Sequence, residues 1–300
     1  MDDLRRFAFL AAVVEAGSMS AAARALGTST SAISQQLRQL EREGGVTLLH
    51  RTTRRLALTE AGERVHAECA ALLAAARRAR AQLAVSRDAP TGELRLSATV
   101  GFARHVAPAL GALLAAHPAL TLKLLVDDAR IDLVHARVDL AIRYGALPDS
   151  PWVARRLGAF ELLVCAAPPL LQRLGTPTQP QDLEAWPWLT LARERPQPLV
   201  VFTAADGAQQ ALRPRGRISS NNQLSLQQMC VAGLGLAMLA RTDADDDLRA
   251  GRLQPLLPGW ALPEMPAWAV TPQRDAQPAK VRHAVQALQA YLLTLPGVKP

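Results

Sequence analysis

The chain has 300 residues, 49% hydrophobic and 20% charged, which excludes a disordered chain. At roughly 100–200 residues per domain, two or three domains are expected. Aromatic residues make up only 4%, so the cores rest mainly on Leu, Val and Ala. The charged start, Met1-Asp2-Asp3-Leu4-Arg5-Arg6, reads against a secretory signal peptide. No run reaches the roughly 18 apolar residues of a membrane span. Cys69, Cys165 and Cys230 lie too far apart for a metal-ligand spacing or a disulfide framework. The expectation is a soluble cytoplasmic protein without metal, cofactor or membrane partner.

The net charge is +8, and only Lys123, Lys280 and Lys299 are lysines among 34 basic residues. The first 90 residues hold 13 Arg against nine acids, whereas the other 210 hold 21 basic and 17 acidic residues. The basic excess is thus more than twice as dense at the N-terminal end. That points to a polyanionic partner there, although a general preference for arginine over lysine accounts for part of it.

Leu4, Phe7, Ala11 and Val14 recur at helical spacing and give a first helix, which Gly17 and Ser18 end. Ser20 is the expected N-cap of a short helix, Ala21 to Leu26, stopped by Gly27. After a turn at Thr28-Ser29, a third helix carries Ile33, Leu37 and Leu40 on one face. Short helix, Gly-containing turn and helix form a helix-turn-helix. Thr30, Ser31, Ser34, Gln35 and Arg38 leave a slim, donor-rich surface on the third helix, suited to the major groove. An ordinary three-helix bundle with a solvated face has the same spacing. The next segment, His50 to Thr59, sets Arg51, Arg54 and Arg55 before an alternating Leu56-Ala57-Leu58. It reads as a β-ribbon wing whose arginines reach phosphates or the minor groove.

Thr59 N-caps a long helix with Glu60 and Glu63 in its first turn. Its apolar stripe, Val65, Cys69, Leu72, Ala76, Ala79 and Leu83, steps by 4, 3, 4, 3 and 4 residues, a coiled-coil repeat. A helix to about Arg87 would be roughly 40 Å long at ~1.5 Å per residue. The stripe is a candidate dimerisation surface, or it packs on its own domain. Asp88 to Gly92 reads as a hinge.

Beyond Gly92, strands and helices alternate. Strands are expected at Leu94–Ala98, Thr121–Val126 and Val138–Arg143, a helix at about 103–116 and a short helix at Ile131–Ala136. This is βαβ logic with a parallel sheet. A second block starts near Phe160 and runs through Leu199–Phe202, a helix at Leu224–Val231 and a strand at Leu234–Leu239. Ala267–Thr271 and a helix at Pro278–Leu293 return to the first block. Two α/β lobes with two crossings make a clamshell.

Several segments together resemble the LysR-type transcriptional regulators. They are Ala22-Ala23-Arg24-Ala25-Leu26, Thr30 to Glu41, Leu49 to Arg54, and Leu58-Thr59-Glu60-Ala61-Gly62. Further on they are Gly92 to Leu96, His117-Pro118, Asp139 to Arg143, and Gly233-Leu234-Gly235. The resemblance implies an α+β multidomain fold. Its parts are a winged helix-turn-helix at 1–60, a dimerising linker helix and hinge at 61–90, and an effector domain at 91–300. That last domain would be periplasmic-binding-protein-like, with lobe I at about 91–161 plus 266–300 and lobe II at about 162–265. The resemblance also implies that Thr30, Ser31, Ser34 and Gln35 face bases, with Arg38 near the backbone. The protein would bind imperfect inverted repeats in double-stranded DNA as a dimer or tetramer, with a small-molecule effector and RNA polymerase as further partners. Two departures stand out. Gly44 replaces the family's usual Leu and Leu49 its usual Phe, both expected in the core, so a looser wing is expected.

In the cleft, Thr99-Val100-Gly101 joins a strand to a helix, where backbone N–H groups meet a carboxylate. Asp127, Asp128, Arg143 and Tyr144 fall at strand ends, where open α/β sheets bind ligands. Asn221 and Asn222 precede a lobe II helix and are placed to close over a ligand. The bland alternatives are an Arg143 pair with Asp127 or Asp128, and helix-capping asparagines. An anionic metabolite is the favoured effector class. An enzyme is not expected: Gly233-Leu234-Gly235 lacks the third glycine of a dinucleotide fingerprint, and no nucleophile elbow or zinc motif is present. A solute receptor with only nonspecific DNA affinity is the other alternative.

Overall fold

The computed structural model describes residues 2–51, 56–129, 132–147, 152–192, 199–272 and 277–300. The chain forms two compact units, Met1–Val85 and Ser86–Pro300.

The first unit contains α1 (Asp2–Ala16), α2 (Met19–Ala25), α3 (Thr30–Gly44), β1 (Leu49–Arg51), β2 (Leu56–Leu58) and most of α4 (Glu60–Asp88). Ser18, not Ser20, caps α2, its hydroxyl accepting the Ala21 N–H at 3.1 Å. Gly17, at φ +70°, reverses the chain in one residue, so the first extended residue after it is the cap. Ser29 caps α3 in the same way, through the Ala32 N–H at 3.1 Å. Gly27 and Gly45, at φ +62° and +63°, stop α2 and α3 in the left-handed region that only glycine adopts without strain. Leu10, Val13, Ile33, Leu37, Leu48 and Leu49 form the core. β1 and β2 pair antiparallel, Leu49 opposite Leu58.

Gly44 is exposed, and a Cβ there would touch only Val46 Cγ1 at 3.7 Å. It is not a core position, so its lack of a side chain does not loosen the wing. Leu49 is buried as expected. The α4 stripe divides. Val65 and Cys69 pack into the unit's own core. Leu72, Ala76, Ala79 and Leu83 stay exposed, Leu83 by 71%.

The second unit opens with β3 (Gly92–Ala98), α5 (Val100–Ala116), β4 (Leu120–Val126), β5 (Leu140–Tyr144) and β6 (Val153–Phe160). The chain then crosses at Glu161 into a second lobe. That lobe comprises β7 (Leu162–Ala166), α6 (Pro168–Leu174), β8 (Leu189–Leu191), β9 (Val200–Ala204), β10 (Gln209–Leu212) and β11 (Ile218–Ser220). It continues with α7 (Gln223–Val231), β12 (Ala237–Ala240), α8 (Arg241–Arg249), β13 (Gln254–Pro255) and β14 (Trp260–Ala261). The chain returns through β15 (Met265–Thr271), α9 (Ala279–Leu292) and β16 (Val298–Lys299).

The lobe I sheet has the order β16-β6-β15-β5-β3-β4. It is mixed, not parallel. β3 runs parallel to β4 and β5, while β15 lies antiparallel to β5 and β6. A parallel neighbour needs a crossover within the same lobe, whereas β15 arrives from the other lobe. The expected helix at 131–136 is instead a run of turns at 133–137. Asp132 accepts the N–H groups of Val134 and His135 at 2.9 and 3.0 Å, and Arg137 at φ +50° ends the run; Ile131 lies outside the described residues. Phe102, Phe160, Leu140, Ile142 and Leu288 centre the lobe I core. Lobe II packs around Trp188, Phe202 and Leu236, and around Leu226, Cys230 and Leu239. Among the described residues, no single helix is long and apolar enough to cross a membrane.

Candidate DNA interface and effector cleft

Alternate faces of α3 have different jobs. Ile33, Leu37 and Leu40 bury into the core. Gln36 accepts from Arg6 Nε at 3.2 Å, and Glu43 also pairs with Arg6, so polar contacts fix α3 to α1. The remaining face carries Thr30, Ser31, Ser34, Gln35 and Arg38. All five line one open groove of about 870 Å³. Arg38 Nη2 donates to Ser34 Oγ at 3.2 Å, one turn back, and Ser31 Oγ sits 3.0 Å from the Ser29 hydroxyl. The Gln35 side chain is exposed. Glu41, Arg42, Gly45, Val46 and Thr47 complete the groove. Sequence reasoning missed these five; the only signal was the Gly44-Gly45 stop, which turns the chain back beside α3.

The root of the wing is tightly built. Glu41 Oε1 accepts the Leu48 and Leu49 N–H groups at 2.9 and 3.1 Å. The Thr59 N–H donates to the Leu48 carbonyl at 3.0 Å. The Thr59 hydroxyl donates to the Thr47 carbonyl at 2.7 Å and accepts the Gly62 N–H at 2.9 Å, capping α4 as expected. A Cβ on Gly62 would sit 2.0 Å from the Leu48 carbonyl oxygen. Arg51 ends β1; its side chain, and Arg54 and Arg55, lie outside the described residues.

In the second unit, Thr99 caps α5, its hydroxyl accepting the Phe102 N–H at 3.4 Å. The Val100 N–H donates to Asp128 Oδ1 at 3.0 Å. The other oxygen, Oδ2, accepts from Asn222 Nδ2 at 2.6 Å. Asn222 also caps α7 through Ser225, so the capping reading holds for this residue, and its amide nitrogen reaches across to lobe I. Asp127 folds onto its own turn, accepting the Ala129 N–H at 2.8 Å, and Asn221 is exposed. Arg143 pairs with neither aspartate. It donates to the Ile142 carbonyl at 3.0 Å and Ser97 Oγ at 3.4 Å. Tyr144 meets Phe102 and Phe160 edge-on; burial, reinforced by Asp243, pushes its phenol well above the usual range.

Thr99, Val100, Gly101, Asp128 and Asn222 thus gather at one seam, while Asp127 and Asn221 turn outward. Val100 and Gly101 also border a cavity of about 330 Å³ with Arg104, Gln223, Gln227 and Asp243. The last four were not anticipated: Asp243 sits in an acidic run at 243–247 that resembles any solvated helix, and no spacing rule brings Arg104, Gln223 and Gln227 to it.

Cys230 Sγ donates to the Cys165 carbonyl at 3.2 Å. Burial pushes both thiols up to about 12, so neither forms a reactive thiolate at neutral pH. Native protein at pH 8 should therefore show no iodoacetamide labelling at either residue by mass spectrometry within an hour, and full labelling after denaturation. Rapid native labelling would contradict the burial.

A winged helix-turn-helix and a two-lobed ligand-binding unit in one chain define a ligand-responsive transcriptional regulator. The lysR family of bacterial regulatory helix-turn-helix proteins matches residues 4–63, and the LysR substrate binding domain matches residues 87–293. The chain belongs to the LysR family of transcriptional regulators. It is 35% identical over 294 residues to the HTH-type transcriptional activator AaeR of Escherichia coli K12, covering 98% of this chain and 95% of the relative. It is 36% identical over 293 residues to the transcriptional regulator DmlR of the same organism, covering 97% and 94%. The full-length virulence activator AphB of Vibrio cholerae shares the fold, with a TM-score of 0.75 at 24% identity over 96% of this chain and 99% of that one.

Proposed function

We propose that this regulator reads an imperfect inverted repeat as a dimer or tetramer, through Thr30, Ser31, Ser34 and Gln35 at base edges, with Arg38 at the backbone. Arg51, Arg54 and Arg55 add phosphate or minor-groove contacts from the wing. The observation that carries this reading is the single exposed groove shared by the five α3 residues. Residues 1–60 serve DNA, 61–90 link and dimerise, and 91–300 respond to a small effector held by Thr99, Val100, Gly101, Asp128, Arg143, Tyr144 and Asn222. Asp127 and Asn221 border that site. The exposed Leu72, Ala76, Ala79 and Leu83 meet a second copy, beside an apolar groove formed by Leu4, Phe7 and Val65. The protein works in the cytoplasm, contacts RNA polymerase at its targets, and does not turn its effector over.

The test is recovery and sequencing of genomic fragments bound by purified protein at two salt concentrations. A sharp inverted-repeat motif that survives higher salt is expected; diffuse binding that vanishes with salt would reject the reading. Gln35→Ala should relax one base position in each half-site, by about 1–3 kcal/mol. Arg38→Ala should instead weaken all sites alike and flatten the salt dependence.

A further inference from the structure

The two lobes meet at a pivot and at a seam. At the pivot, the Arg241 N–H donates to the Glu161 carbonyl at 2.9 Å, and the Glu161 N–H to the Gly297 carbonyl at 2.7 Å. A Cβ on Gly297 would lie 2.8 Å from Arg241 Cδ, so this end is closely packed. Across the seam, Arg104 of lobe I stands 3.9 and 3.6 Å from Asp243 and Asp246 of lobe II, and His105 Nε2 is 3.7 Å from Asp243. These separations exceed hydrogen-bond length, and such pairs tolerate displacement. Asp128 differs. One carboxylate oxygen holds the first backbone N–H of α5 in lobe I, and the other holds Asn222 of lobe II at 2.6 Å. Asn222 is fixed in turn by its Oδ1, which accepts both the N–H and the hydroxyl of Ser225 at 2.9 and 3.2 Å. A half-buried carboxylate thus joins two helix N-termini directly, through charge-assisted bonds.

We propose that Asp128 is a latch that holds the two lobes in the relation described here, and that an effector acts by breaking its bond to Asn222. The inference rests on the reading that the cleft between the lobes takes the effector. A ligand entering between Val100 and α7 displaces Asn222 from Asp128. The lobes are then freed to turn about the pivot, while the looser Arg104 and His105 pairs follow. The bond is therefore the differential contact that a two-state switch requires.

The test uses the full chain with Val134→Cys in lobe I and Leu174→Cys in lobe II, both exposed positions. Each carries a spin label, and the labelled protein is diluted with unlabelled chain so that only distances within one chain are read. The native cysteines are buried and stay unlabelled. Asn222→Asp keeps the α7 cap, because Asp caps as well as Asn, but sets a second carboxylate against Asp128. It should lengthen or broaden the single narrow interlobe distance of the wild type. Adding Asp128→Asn to Asn222→Asp exchanges donor and acceptor and should restore the narrow distance. An unchanged distance in Asn222→Asp, or no restoration in the double variant, would overturn the latch. On DNA sites recovered by selection, Asn222→Asp should alter the footprint and the double variant should restore it. An unaltered footprint with opened lobes would overturn the coupling to regulation. Failure to recover any sites would count against the DNA reading alone, since the distances are measured without DNA.

Discussion

Gly62→Ala should abolish specific DNA binding while the C-terminal unit stays folded. The added methyl would lie 2.0 Å from the Leu48 carbonyl oxygen, 3.0 Å from its carbon and 3.1 Å from Leu58 Cδ2. Two of these three obstacles are backbone, so no rotamer change relieves them. Either the first turn of α4 or the root of the wing must move, and both are tied to the core through Leu48 and Leu49. The cost should fall in the rare upper range for point changes, about 4 kcal/mol or more. In a thermal melt the transition of the N-terminal unit should drop or disappear while the second transition is unmoved. Anisotropy on a selected DNA site should show no specific binding. Wild-type affinity would mean that the wing root is far more yielding than its packing implies.

Glu41→Ala should weaken the same joint from the other side. It leaves the Leu48 and Leu49 N–H groups without the carboxylate that accepts them at 2.9 and 3.1 Å. Each orphaned donor costs about 1–3 kcal/mol, so stability should fall by about 3 kcal/mol. Glu41→Gln keeps a neutral acceptor and should lose about half as much. Both variants should keep the base preference set by Gln35, because the Ile33, Leu37 and Leu40 face of α3 still anchors the helix. Their DNA affinity should fall with a shallower salt dependence, as the wing arginines lose their position. A changed sequence motif in Glu41→Gln would show that the wing, not α3, selects the base.

Local rules sufficed where the chain decides its structure locally. The α3 face was legible because a helix period sorts Ile33, Leu37 and Leu40 from Ser34, Gln35 and Arg38. The Thr59 cap was legible because a hydroxyl before Glu60 and Glu63 has one plain use. Ser20 misled because both Ser18 and Ser20 are good caps, and the choice depends on the positive φ of Gly17. Gly44 misled because a family position was read as buried without the geometry of the α3 stop. In the cleft, residues 94 places apart meet in the Asp128–Asn222 bond, and no spacing rule spans a lobe crossing. The mixed sheet escaped for the same reason, since the direction of β15 follows from its return from lobe II.

That return has a consequence for how the protein is made. β15 lies between β6 and β5 in the lobe I sheet, yet all of lobe II separates it from β6 in the chain. A growing polypeptide can complete the N-terminal unit and then lobe II in order. Lobe I must wait with an open gap between β5 and β6 while about a hundred further residues are added, roughly 5–20 s at ~5–20 residues per second. Throughout that interval the unpaired strand edges stand exposed. The unit that reads DNA is therefore finished on the ribosome well before the unit that controls it.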